Sequence, residues 1–97
     1  MAIDHEVAFS YQTVTVSTTA VGVTAVVNAK VAHRAVITVE TAQIRFRYDG
    51  TAPSSSVGHI LNAGDRIILE GRNNIGNFLA IRTGGTDATI QVTLETI

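Results

Sequence analysis

Any chemistry in this chain would have to come from three histidines, a run of serines and eight acidic side chains. Their spacing serves none of the common reactions. His5, His33 and His59 stand alone, with no HxH or HxxxH spacing to present two ligands to one metal ion. Each reads as a surface or turn residue. There is no cysteine, which excludes a thiolate nucleophile, a thiolate metal site and any disulfide framework. Ser54-Ser55-Ser56 lacks both a GxSxG elbow and a nearby partner to activate a hydroxyl. Asp65 and Glu70 flank one predicted strand, and nothing in the sequence gives them the two contrasting environments that an acid/base pair needs. Gly84-Gly85 is no phosphate loop, because the spaced glycines, the lysine and a following helix are missing. We expect no catalytic residue, no cofactor and no bound metal, and therefore not an enzyme.

Binding is a different matter. Arg45 and Arg47 occupy alternate positions of one predicted strand, on the face opposite Ile44, Phe46 and Tyr48. Solvated surface is the plain reading of exposed arginines. The other is bidentate pairing with carboxylates of a neighbouring subunit, which the guanidinium fork suits. RNA-type recognition needs aromatic rings on the same face as the basic groups. Here they face the other way, and a net charge of −1 leaves no basic stripe to neutralise phosphates. Nucleic acid is not an expected partner.

The elements that would carry these residues are strands. Twelve Val, ten Ile and thirteen Thr make up just over a third of the 97 residues. Such β-branched side chains fit a pleated, half-buried surface and are mediocre in helices. At the C-terminal end, Thr83-Gly84-Gly85-Thr86 reads as a two-residue type I′ hairpin turn. That register pairs Arg82 with Asp87, Ile81 with Ala88, Ala80 with Thr89 and Leu79 with Ile90. It puts Leu79, Ile81, Ala88, Ile90 and Val92 on one face of a hairpin from about Asn77 to Glu95. His33–Glu40 and Gln43–Asp49 form a second strand pair, with Ala35, Ile37 and Val39 on one shared face and Ile44, Phe46 and Tyr48 on another. Their link, Thr41-Ala42, is either a tight hairpin or a corner to an opposing sheet. Asp49–Ser56 is a loop, and Asn62–Asp65 is a tight turn into Arg66–Glu70, where Ile67 and Leu69 point inward. Gly71–Gly76 is an irregular or single helical turn anchored by Ile75. We expect one all-β domain over residues 1–97, a small antiparallel β-sandwich or jelly roll of six to eight strands.

The N-terminal third is distinct. The acidic start, Met1 to Glu6, has no basic region of the kind that opens a secretory signal. Val7 to Ala29 carries neither charge nor proline. Its many Ser, Thr, Gln and Asn residues break the apolar run that a bilayer requires, so a strand region is expected and a membrane partner is not. Val7, Phe9 and Tyr11 share one parity, and Val14 and Val16 the other; a bulge near Gln12 or burial on both faces reconciles them. Uncharged, proline-free β segments pair with other edges when exposed. Low overall charge and the absence of staples also favour association in so small a chain. Phe9, Tyr11, Val14 and Val16, together with Arg45 and Arg47, are the expected protein-interface residues, in contact with further copies of the chain as a homotrimer.

From Arg34 to about Glu95 the sequence resembles a group of short all-β structural proteins of tailed phages and prophages. The run AVITVETAQIRFRYDGTAPSSSVGHILNAGDRIILEG, followed by NFLAIRTGGTDATIQVTLE, carries the resemblance. Arg47-Tyr48-Asp49-Gly50-Thr51, Gly58-His59, Gly64-Asp65 and Phe78–Thr83 are its most distinctive parts. Gly58-His59 and Leu61–Asp65 also resemble jelly-roll turns such as those of cupins, whose paired metal histidines are missing here. The phage resemblance implies a virion component made in the host cytoplasm, a capsid decoration or cement subunit whose partners are itself and virion proteins such as the major capsid protein. The alternative is a receptor- or glycan-binding module of a tail or fibre, with Tyr48–Ser56 as its contact surface. The resemblance does not extend to the N-terminal third and transfers no site residues.

Overall fold

The β-branched composition is spent on strands almost throughout the computed structural model, which describes residues 7–96. In chain order these are β1 (Val7–Val16), β2 (Val26–Val27), β3 (Lys30–Val31), β4 (Arg34–Glu40), β5 (Ile44–Arg47), β6 (His59–Leu61) and β7 (Arg66–Glu70). A short helix α1 (Arg72–Asn77), β8 (Leu79–Arg82) and β9 (Ala88–Thr96) complete the order. The count exceeds the expected six to eight only through β2 and β3, which are two residues each. All pairings are antiparallel. One sheet has the order β1-β9-β4-β7 and a second β6-β5-β8, while β2 and β3 pair with each other.

Period-2 alternation places the core as the sequence predicts. Ala35, Ile37 and Val39 of β4, Ala88, Ile90, Val92 and Leu94 of β9, and Ile44 and Phe46 of β5 are buried in one cluster. Leu69 joins them, Ile67 packs against them, and Ile75 anchors α1 from beneath. Phe78 is the largest of the fully buried side chains. Each buried Val, Ile, Leu or Phe among them stabilises the fold by about 1.5–3 kcal/mol.

The link at Thr41-Ala42 is a corner, not a hairpin. β4 and β5 lie in different sheets, and the Ala42 amide donates to the Glu40 carbonyl at 2.9 Å around a left-handed Thr41 with φ of 80°. That is a γ-turn, the tightest reversal a chain can make.

The hairpin at Gly84-Gly85 does not form. β8 pairs with β5, and β9 lies between β1 and β4 in the other sheet. Neither glycine takes the left-handed φ that a type I′ turn requires. Ala88, Ile90 and Val92 do share the core face, but Leu79 and Ile81 are not with them: Phe78 and Ala80 carry the buried parity on that side. Two glycines permit a hairpin turn without demanding one, and each strand has a better neighbour elsewhere. A two-residue turn with both central φ positive occurs instead at Asn28-Ala29 (52° and 65°), joining β2 to β3.

The parity conflict in the N-terminal third is resolved by a bulge between Ala8 and Ser10, three residues earlier than Gln12. Phe9 is the extra residue and packs on the core beside Val14, while Val16 is fully buried and Tyr11 turns out to solvent. Burial on both faces is therefore not what sets the pattern. After β1 the chain crosses the inner side, where Val21 bridges to Ala80. A Cβ on Gly22 would lie 2.8 Å from the Phe78 carbonyl oxygen, so the backbones meet there because the residue is glycine.

Candidate functional site

The residues first weighed for chemistry are scattered. His33 places Nδ1 3.2 Å from Thr96 Oγ1, His59 lies on β6, and His5 is outside the described residues. Among the described residues no three His, Asp or Glu side chains converge on a possible metal position. The Ser54 hydroxyl accepts from the Ser56 and Val57 amides at 3.3 and 3.0 Å and so closes its own loop. Asp65 does the same for its turn, accepting from the Asn62 amide at 2.8 Å.

Arg45 and Arg47 share a strand face, as read from the sequence, yet each turns to its own chain. Arg45 donates from Nη1 to the Gly58 carbonyl at 2.7 Å and from Nε to the Ser55 carbonyl at 3.2 Å. It thereby fastens the 48–58 loop over the sheet. Gly58 has a φ of 136°, and a Cβ there would stand 3.1 Å from both the Phe46 carbonyl oxygen and Pro53 Cβ. Arg47 holds Asp49 through two contacts, Nε to Oδ1 at 3.0 Å and Nη2 to Oδ2 at 2.5 Å. The Arg47 hydrogen bond keeps the Asp49 carboxyl below the usual carboxylate range.

Beside this pair the structure assembles a cleft of about 280 Å³ lined by Arg47, Tyr48, Asp49 and His59. Its wall is aromatic. Phe46 lies 5.7 Å from Phe78, 6.2 Å from Tyr48 and 5.3 Å from His59, centroid to centroid. Tyr48 and His59 are 6.3 Å apart with planes 30° from parallel. The rings of Phe46, Tyr48 and His59 form a triangle that Phe46 joins to the core through Phe78, with Tyr48 39% exposed at the surface. Strand parity puts Tyr48 beside Phe46. The arrival of His59 opposite Phe46 depends on β5–β6 pairing across a long loop, and no local signal announces it.

The second surface is β1. It is the terminal strand of its sheet. Tyr11, on its outer face opposite Thr93, is 65% exposed, and Val7, opposite Thr96 on the other parity, is 60% exposed at the start of the strand. The registers align Tyr11, Thr93, Val36 and Ile68 in one row across all four strands, with Ile68 also half exposed. A charged row, Glu95, Arg34 and Glu70, runs along one side of it, with Arg34 bonded to Glu95 at 2.5 Å. A polar row, Thr13, Gln91, Thr38 and Arg66, runs along the other. Tyr11 and Thr13 both donate their hydroxyls to Gln91 Oε1.

No known protein family, no characterised protein and no solved structure matches this chain. Of the six expected interface residues, Tyr11 alone is mostly exposed, at 65%. Phe9, Val14 and Val16 belong to the inner face, and Arg45 and Arg47 serve the 48–58 loop and the cleft.

Inside the sheet, Gln12 clasps the returning chain: its amide oxygen accepts from the Thr24 amide at 3.0 Å and its nitrogen donates to the Thr24 carbonyl at 2.7 Å. This side-chain clasp leaves β9 as the only strand to which β1 is paired among the described residues. Among the described residues the other edge of β1 has no strand beside it.

Proposed function

We propose that this protein is a virion structural subunit of a tailed phage, a capsid decoration or cement protein with no catalytic role. It works by contact with copies of itself, as a homotrimer, and with other virion proteins such as the major capsid protein. The observation that carries this reading is β1, a ten-residue edge strand with no charge and no proline. Natural sheets blunt such edges with lysine, proline or a covering element. The row from Tyr11 through Thr93 and Val36 to Ile68 adds a mostly apolar surface next to that edge. Weak contacts of this kind gain strength when symmetry repeats them. The resemblance over Arg34–Glu95 supplies the virion context.

Sedimentation at micromolar concentration tests the self-association directly. A homotrimer is expected, and a monodisperse, soluble monomer overturns it. Co-sedimentation with assembled capsids tests the second partner. A second reading, a glycan-binding module of a tail or fibre, is favoured by one observation only, the aromatic cleft at Tyr48 and His59.

A further inference from the structure

We propose that the cleft formed by Arg47, Tyr48, Asp49 and His59 binds a single pyranose ring of a neutral glycan. This site is separate from the β1 surface, and its assignment does not depend on the assembly proposed above.

Three features select the ligand class. The first is the shape of the aromatic wall. Tyr48 lies 17° from parallel to Phe46 and 30° from parallel to His59, and His59 is tilted 40° to Phe46. No two of these three centroids are more than 6.3 Å apart, so the rings pack on one another as a slab and leave no cage between them. A quaternary ammonium ion is held by rings facing it from several sides. A slab instead suits a flat partner with weakly positive hydrogens, which the negative face of a ring attracts. The C–H face of a pyranose is such a partner.

The second feature is the polar rim. Asp49 accepts hydrogen bonds at its carboxylate oxygens, and Arg47 presents further donors in the same plane, since the two side chains are already locked together. Neighbouring sugar hydroxyls each offer one donor and one acceptor, and an ordered carboxylate–guanidinium pair can meet both. The pair is close to neutral as a unit. A phosphate or carboxylate ligand would meet the Asp49 charge, so an uncharged polyol is preferred over an anion.

The third is size and rigidity. A volume of about 280 Å³ falls just below the 300–1,000 Å³ of sites for drug-sized ligands. It accommodates one sugar ring. Phe46, which backs Tyr48, packs on the fully buried Phe78, and Arg45 fastens the loop that follows, so the wall is set before a ligand arrives. A site ordered in advance loses less entropy on binding.

The test is an NMR titration of the intact protein with methyl glycosides of glucose, galactose, mannose and N-acetylglucosamine. At least one should give saturable amide shifts centred on residues 46–50 and 58–60. Tyr48→Ala should weaken that binding roughly tenfold or more, Tyr48→Phe should retain it, and Asp49→Asn should weaken it without unfolding the chain. Tyr11→Lys, on the β1 surface, should leave it unchanged. If none of the four sugars shifts these amides, or if a well-folded Tyr48→Ala protein binds as wild type does, the site assignment is wrong. Either outcome leaves the oligomeric state, and so the assembly reading, untouched.

Discussion

Arg82 and Asp87 form an ion pair at 2.6 Å across a corner whose flanking strands, β8 and β9, belong to different sheets. Ser17, at the end of β1, donates its hydroxyl to the same Asp87 oxygen at 2.7 Å. One carboxylate therefore ties three segments together.

That tie has a pH signature. The Ser17 hydrogen bond first, and Arg82 second, hold the Asp87 carboxyl below the usual carboxylate range in the folded chain. The unfolded chain then takes up its proton at higher pH than the folded one, so the contribution is complete above the ordinary aspartate range. It is lost as pH falls through the lower folded value. Urea midpoints should drop on acidification across that window, and Asp87→Asn should show a smaller drop. Equal drops in both proteins would remove Asp87 from the explanation.

Glycine and positive φ fail to coincide at two turns of this chain, and substitution can expose it. Ala29 sits at φ 65° in the turn between β2 and β3, whereas Gly84 is not left-handed and has open space around it. Ala29→Gly should raise stability by about 1 kcal/mol, because an L-residue in that region is strained. Gly84→Ala should stay within about 0.5 kcal/mol of wild type. Chemical denaturation of the two variants checks the assignment, and a large loss from Gly84→Ala would contradict it.

Gly22 tells the opposite story. An added methyl group would meet the backbone oxygen of Phe78, which cannot rotate away as a side chain can. Gly22→Ala should destabilise by about 1–3 kcal/mol, as overpacking does. A neutral result by thermal unfolding would mean that the two segments separate readily.

Tyr11→Lys isolates the β1 surface from the fold. Its ring is 65% exposed, so unfolding stability should change by no more than about 0.5 kcal/mol. A charge on the open edge strand should nevertheless disperse the proposed homotrimer to monomers in sedimentation. A trimer that survives the substitution must be held by some other surface.

Much of the fold was legible because side-chain alternation is local. Ala35, Ile37 and Val39, or Ala88, Ile90 and Val92, announce their buried face over five residues, and Asn62–Asp65 announces its turn in four. What was not legible is which strand lies beside which. Gly84-Gly85 looked like a hairpin because the parity of Leu79 and Ile81 matched that of Ala88 and Ile90, while Phe78 and Ala80, smaller in number of large residues, set the true face. Asn28-Ala29 was missed as a turn because alanine gives no hint of a positive φ. The cleft was half legible: Arg47, Tyr48 and Asp49 are consecutive, but His59 reaches them only through strand pairing.

The position of β9 between β1 and β4 has a consequence for synthesis. Val7 pairs opposite Thr96 and Val16 opposite Ala88, so among the described residues β1 has no strand partner until β9 has been made. At about 5–20 residues per second, the interval between completing β1 and completing β9 is roughly 4–16 s. Throughout it the uncharged strand trails from the ribosome unpaired, at the stage when neighbouring chains on a polysome are closest. Closure then joins segments nearly the whole sequence apart, which is a slow topology for so short a chain. Rapid expression at high temperature should divert nascent chains into aggregates through β1, and slower translation or a bound chaperone should rescue them.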